Sequence, residues 1–266
     1  MIVNARMYSA TPAASQAWKA ILDWAVRRAG LPWSNYDHDA PAPLAQLWER
    51  SDLGCVFMCG LPFSQREPRP ALIAAPVPSC ARYGGKPIYF TDIAVRADAP
   101  FGTLEDTFGG VLGLTLRDSM SGCVALLDHL LPYREAARRP LYREALGGFV
   151  NARSVIEALA AGRIDVGPLD SYYYDLLRSG APDIAAKVKI IASTGPAPIP
   201  PLVAHASIAL EKIVRLRAAL SAAAIAPELS EQRATVLLDG FAVPDASDYD
   251  VLASAVATAT RYPEPW

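Results

Sequence analysis

Histidine and cysteine are scarce in this chain and badly spaced for metal chemistry. The 266 residues hold three histidines (His38, His129, His205) and four cysteines (Cys55, Cys59, Cys80, Cys123), with no CxxC pair and no histidine at ligand spacing from a cysteine. No metal site is expected from that pattern, and buried thiols are the first expectation, a disulfide being unusual in a reducing compartment. Charge of one sign is missing too. Twenty-five basic residues face 27 acidic ones, a net charge of −2, so no global field recruits nucleic acid or an anionic membrane, and an anion would have to be bound locally. No segment is a clean apolar run long enough to span a bilayer. The opening Met1-Ile-Val-Asn-Ala-Arg-Met-Tyr8 enters an apolar strand without a basic n-region, an h-region or an A-x-A site. As written, the chain is expected in the cytoplasm; it is expected in the periplasm if an export signal has been removed. Nucleophile-elbow and Walker signatures are absent as well, so no catalytic residue and no cofactor is expected.

What is present describes a folded α/β protein. Hydrophobic residues make up 52% and charged ones 20%, and the length allows one large domain or two lobes, each with its own core. The central stretch is Val111 to Leu131, VLGLTLRDSMSGCVALLDHLL. Apolar residues over Val111 to Leu116 read as a strand, Arg117-Asp118-Ser119 as a loop, and Val124, Leu127 and Leu131 as one helix face. Ser119 and Ser121 stand where an N-cap belongs, Met120 lies between them, Gly122 lets backbone approach a ligand, and no acid follows until Asp128. A helix start of that kind favours an oxyanion through free N–H groups, dipole and hydroxyls. The same residues also fit an ordinary capped helix after a strand.

Along the chain, Ile2 to Met7 reads as a strand whose exit holds Tyr8, Ser9 and Thr11, and Pro12 and Ser15 open a helix through Ala29. In open α/β sheets ligands lie beyond the carboxyl ends of strands, which makes these exit residues candidates; for Tyr8 a plain surface position is the alternative. Leu53 to Met58 is a second strand, ending at Cys59-Gly60-Leu61-Pro62-Phe63, read as a sharp turn that offers backbone N–H groups. Ala71 to Val77 follows as a strand. Ile88 to Arg96 alternates, with Tyr89, Thr91 and Ile93 on one side. The run Pro132 to Arg143, with Arg134, Arg138, Arg139 and Arg143, reads as a solvated face beyond a helix that ends near Leu131. Ser154 opens a helix, Ile164 to Asp170 is a short strand, and Ser171 to Arg178 is a helix with three consecutive tyrosines. Val188 to Ser193 is a strand, and the prolines from Pro196 to Pro201 stiffen a crossing between two bodies. Helices are expected over Ala206 to Ala224, Leu229 to Leu237 and Asp248 to Thr260.

Three segments carry a resemblance: IYFTDIAVRAD (Ile88 to Asp98), DSMSG (Asp118 to Gly122) and NARSVIEALAAGRIDVGPLDS (Asn151 to Ser171). With RMYS and MCGLPF, they resemble the phosphate/phosphonate-binding branch of the type II solute-binding proteins, in a subgroup without a signal. The resemblance implies an α/β, two-lobed type II periplasmic-binding-protein-like fold with two crossover strands and an interlobe cleft. Lobe one would be 1–91 plus 193–266, and lobe two 92–192. It implies a protein that clamps a small anion, phosphate, phosphonate or a related oxyanion or carboxylate, linked to ABC transport through a permease or to sensing through a signalling partner. An enzyme on the same fold, acting on a small carboxylate-bearing metabolite, is the alternative, with Asp170 beside the tyrosines as its base. Carried over position by position, the resemblance puts the oxyanion on Ser119 and Ser121, aromatics at Tyr8 and Tyr89, and an acid at Asp170. Asn151 stands where the family usually has a histidine, and Met120 replaces a small or polar residue. Arg117 and Arg153 are the cations that stand near enough in sequence to replace the missing charge; surface or interlobe pairing is the other role open to them.

Overall fold

The computed structural model describes residues 1–263. Two compact units divide the chain: Met1–Ile88 with Pro198–Tyr249, and Tyr89–Ala197 with the segment from Asp250. The chain therefore passes between units at Ile88/Tyr89, Ala197/Pro198 and Tyr249/Asp250. No helix among the described residues is long and apolar enough to cross a membrane.

In the first unit a six-stranded sheet runs in the order Leu238–Ala242, Ala71–Pro78, Leu202–Ala204, Leu53–Phe57, Ile2–Asn4, Ser34–Asn35. Ile2–Asn4 is parallel to both its neighbours, while Leu202–Ala204 enters antiparallel between Leu53–Phe57 and Ala71–Pro78. Leu53–Phe57 is buried at every residue, as a strand covered on both faces must be. The helix Pro12–Arg28 starts where Thr11 Oγ1 accepts the Ala14 N–H at 3.1 Å and proline occupies the first turn. It buries Trp18, Ile21, Leu22 and Val26, and Trp18 meets Phe57 edge to face at 5.1 Å. The same helix packs on Leu210–Ala223 and Ser230–Thr235.

Two sequence readings change in this unit. The expected helix over Leu229 to Leu237 stops at Thr235, and Leu238–Ala242 becomes an edge strand. Leu237 takes a positive φ of 49° there, which ends the helix, and the following residues satisfy their backbone against Ala71–Pro78. The turn at Cys59–Phe63 is instead the start of a helix, Gly60–Gln65, in which Pro62 falls within the first turn, where no N–H is needed.

The second unit is built on an antiparallel sheet, Val188–Ser193, Thr91–Arg96, Gly167–Asp170, joined through a Leu112–Val166 bridge to the parallel pair Val111–Gly113 and Glu144–Leu146. The single strand expected over Ile88 to Arg96 is broken at Phe90, whose N–H donates to Ser171 Oγ at 2.9 Å and whose carbonyl accepts from Ser171 N–H. The helix Ala125–Ala137 runs past Leu131 with Pro132 inside it. Arg134, read as part of a solvated face, is only 9% exposed and lies with its guanidinium 4.5 Å from the centre of the Tyr262 ring.

That contact belongs to a larger difference. The sequence reading placed the C-terminal helix in lobe one, but Val251–Ala259 packs on Ala125–Ala137 and on the turn that precedes it, and Arg261 pairs with Glu135 at 2.6 Å. Its apolar residues Leu252 and Ala259 are buried in that packing. Glu264, Pro265 and Trp266, which the same reading put in lobe one, lie outside the described residues.

Candidate anion-binding site

The serine loop is a fold-back built by three elements of the second unit. The strand expected to reach Leu116 ends at Gly113, because Thr115 N–H turns to the Gly122 carbonyl at 2.8 Å and not to a neighbouring strand. Ser119 N–H then closes on the Leu116 carbonyl at 3.0 Å, and Ser119 becomes an N-cap, its Oγ accepting the Gly122 N–H at 3.1 Å. The Ser119 carbonyl accepts from Val124 N–H, five residues on, so the helix opens with a wide π-helical turn, Met120–Val124, that runs into Ala125–Ala137. Such turns are rare and occur often at functional sites.

Gly122 is required by space. A Cβ there would stand 1.7 Å from Thr115 Oγ1 and 2.9 Å from Ser119 Oγ, so only glycine allows the loop to fold this tightly. At the helix start the N–H groups of Met120 and Ser121 have no carbonyl four residues back within the helix, and no acid stands in the turn. Met120 and Ser121 are both buried. Ser119 Oγ still has its own proton to donate.

Thr91 fixes the loop to the sheet. Its hydroxyl donates to the Ser121 carbonyl at 3.1 Å, while its N–H donates to Thr194 Oγ1 and its carbonyl accepts the Thr194 N–H. Across the antiparallel pair Thr91 stands opposite Asp170. Asp170 caps the next helix, Ser171–Gly180, with Oδ1 accepting Tyr173 N–H at 3.0 Å. Thus Thr91, Ser121 and Asp170 are gathered within the second unit. Tyr89, two residues before Thr91, is buried.

Asn151 opens a different helix, Ala152–Ala160. Its Oδ1 accepts Ser154 N–H at 3.1 Å and its own N–H donates to Ser154 Oγ at 3.1 Å, a capping box. The two arginines diverge. Arg117 lies by the Cys123 thiol, whose pKa burial pushes up and that arginine draws partly back down. Arg153, in the first turn after Asn151, lies near the Tyr173 phenol, whose pKa burial pushes up and the arginine draws partly back down.

In the first unit the predicted residues form a second group. Tyr8 is 1% exposed rather than on the surface, meeting Phe57 edge to face at 5.1 Å. Ser9 Oγ donates to the Ala5 carbonyl at 3.1 Å. Thr11 is spent as a helix cap. Two residues beyond Phe57, Cys59 is buried at an N-cap position without a side-chain cap bond, and Gly60 begins the helix. Sequence reasoning missed Thr115 and Tyr173; the one signal for Thr115 is a polar residue inside the apolar run Val111 to Leu116.

The family model described as ABC transporter, phosphonate, periplasmic substrate-binding protein matches residues 15–249. Among solved structures, the chain is similar to a binding protein component of an ABC phosphonate transporter from Pseudomonas aeruginosa, at 17% identity over 98% of this chain and 85% of that one, with a TM-score of 0.76. It is similar also to PhnD1 from Prochlorococcus marinus in complex with methylphosphonate, at 10% identity over 98% of each chain and a TM-score of 0.77. A Xanthomonas citri protein bound to chloride ion shares 22% identity over 98% of this chain and 97% of that one, with a TM-score of 0.67. No curated protein matches the sequence. These likenesses establish the type II periplasmic-binding-protein fold, and with a family model spanning most of its length the chain belongs to the periplasmic substrate-binding proteins of phosphonate ABC transporters.

Proposed function

We propose that the chain binds a small tetrahedral oxyanion of the phosphate and phosphonate class at the serine loop and presents it to the permease of an ABC transporter. The observation that carries this reading is the helix start itself. Ser119 caps the Gly122 N–H, Thr115 forces glycine at 122, and Thr91 holds the Ser121 carbonyl, so the Met120 and Ser121 N–H groups and two hydroxyls are preorganised for an anion. The methylphosphonate of the Prochlorococcus relative supports the ligand class.

Around this anchor the further ligand contacts of this reading are Tyr89, Thr91, Asn151 and Asp170 of the same unit, and the candidates of the first unit are Tyr8, Ser9, Cys59 and Gly60. In the enzyme alternative Asp170 would act as a base; its carboxylate is already engaged by the Tyr173 N–H, which favours binding without turnover. A transport role goes with the periplasm named in the family description, a sensing role with the cytoplasm, and cell fractionation separates the two.

The test is calorimetry with methylphosphonate and with inorganic phosphate. Each hydroxyl contributes one hydrogen bond to a charged group, so Ser119→Ala and Ser121→Ala should each weaken binding by about 1.5–3 kcal/mol. Unchanged affinity in both variants would put the anion elsewhere.

A further inference from the structure

We propose that the second unit carries another ligand site, for a small aromatic carboxylate, in the cavity beside the carboxyl end of the helix Ala125–Ala137. The cavity holds about 320 Å³ and is lined by Phe108, Tyr133, Ala136, Arg139 and Leu141 with their neighbours, a volume within the roughly 300–1,000 Å³ of ordinary ligand pockets. It is separate from the serine loop. That loop opens the same helix, and from Ser121 to Ala136 the chain rises about 20 Å at ~1.5 Å per residue.

The walls are fixed by the fold. Thr107 Oγ1 donates to the Leu104 carbonyl at 2.6 Å and meets the Tyr142 hydroxyl at 3.1 Å. Gly109 N–H donates to the Leu141 carbonyl at 2.7 Å, and the Gly109 carbonyl accepts from Arg143 Nη1 at 3.3 Å. Phe108 is held edge to face by the buried Tyr142 ring at 5.7 Å and meets Tyr133 at 5.6 Å with their planes 73° apart. Phe108 and Tyr133 are both only half-buried, so they leave an open corner in which a third ring can lie against one and turn its edge to the other. Arg139 stands at that corner. Arg138 takes a positive φ of 55° that ends the helix, and Pro140 keeps residue 139 out of the helical region, so the backbone at Arg139 has little freedom. Among the described residues Arg139 makes no hydrogen bond or ion pair, and no acid lines the cavity. The carbonyl end of the helix carries about half a negative charge, which the whole charges of Arg138 and Arg139 outweigh. A guanidinium offers planar paired donors to a carboxylate, and the two rings take the aromatic body that the carboxylate carries.

Titration of the full chain with benzoate, followed by proton–nitrogen NMR, tests this. The amides of Phe108, Gly109, Tyr133 and Arg139 should shift, and saturating methylphosphonate should leave the benzoate affinity unchanged. Arg139→Met, which keeps the stem without the charge, should bind benzoate about tenfold more weakly, and benzamide should bind the parent about tenfold more weakly than benzoate does. Ala136→Phe, at an exposed helical position, should fill the cavity and abolish the shifts while the rest of the spectrum stays as in the parent. Benzoate that shifts no amide of the cavity, or that binds Arg139→Met as tightly as the parent, overturns the site. Benzoate binding that is lost in Ser121→Ala and kept in Arg139→Met would put the acid at the serine loop, overturning this inference and leaving the anion site standing. A parent that binds benzoate at the cavity but neither methylphosphonate nor phosphate would keep this site and overturn the other.

Discussion

Each unit of the molecule has a turn where a strand runs into a helix, and the two turns are built differently. After Phe57 the helix Gly60–Gln65 begins with no side-chain cap, a thiol at the cap position, and Leu61, Pro62 and Phe63 buried. After Gly113 the helix begins with a serine cap, a glycine forced by a threonine, a hydroxyl-bearing second residue and a threonine from the sheet holding the turn from behind. The first turn joins two elements of a core; the second spends four polar side chains on one backbone conformation. Side-chain hydrogen bonds in a partly buried place are marginal for stability once desolvation is counted, so the two made at this turn, by Ser119 Oγ and by the Thr91 hydroxyl, fit the anion site proposed above.

The hardest blow to that difference is Gly122→Ala. With the new methyl 1.7 Å from Thr115 Oγ1 and 2.7 Å from Thr115 Cβ, the loop must move, and the strain should cost about 1–3 kcal/mol of stability together with all measurable anion binding. Adding Thr115→Gly removes the atoms that clash and should recover part of both. Thermal melts with and without methylphosphonate read the two effects separately, and a Gly122→Ala protein that melts and binds like the parent would show that the turn is not tightly specified.

How much of this was legible beforehand depends on the range of the interaction. The strand, loop and helix around Ser119 were readable because apolar period, cap residues and the missing acid all lie within twenty residues of sequence. The fold-back was not, although Thr115 and Gly122 are only seven residues apart, since their meeting depends on a backbone turn that neither apolar period nor cap residue announces. Likewise the helix at Cys59 was hidden behind a glycine and a proline that also signal a turn, and Leu238–Ala242 became a strand only because Ala71–Pro78 offered a free edge. Arg134 read as solvated because nothing in its own segment tells that Tyr262, 128 positions later, will cover it.

A milder change sharpens the role of Asn151. Asn151→His would place a titrating cation at the head of Ala152–Ala160 but would lose the Oδ1 that accepts Ser154 N–H. Loss of such a cap costs about 1 kcal/mol, so any gain in phosphate affinity, largest below about pH 6.5 where an ordinary imidazole is charged, should come with a lower melting temperature. A gain in affinity with no loss of stability would mean that the capping box contributes nothing to the fold.

The smallest effect compares the thiols that flank the two turns. Cys55, in the strand before the first turn, is raised by burial alone; Cys123, in the second turn, is raised by burial but drawn back by Arg117. A thiol whose folded value is raised stabilises the protein fully below its unfolded value and loses that contribution as the pH climbs toward the folded value. Above the ordinary thiol value of 9.0 the unfolded chain therefore sheds protons that the folded chain keeps, and stability should fall by up to about 1.4 kcal/mol per pH unit for Cys55 and by less for Cys123. Denaturant melts between pH 8 and 10.5 on Cys55→Ala and Cys123→Ala measure this as a change in slope, which sets aside the cavity that each substitution leaves at every pH. The Cys55→Ala slope should be the shallower of the two; equal slopes would mean that Arg117 leaves the Cys123 thiol as burial alone would set it.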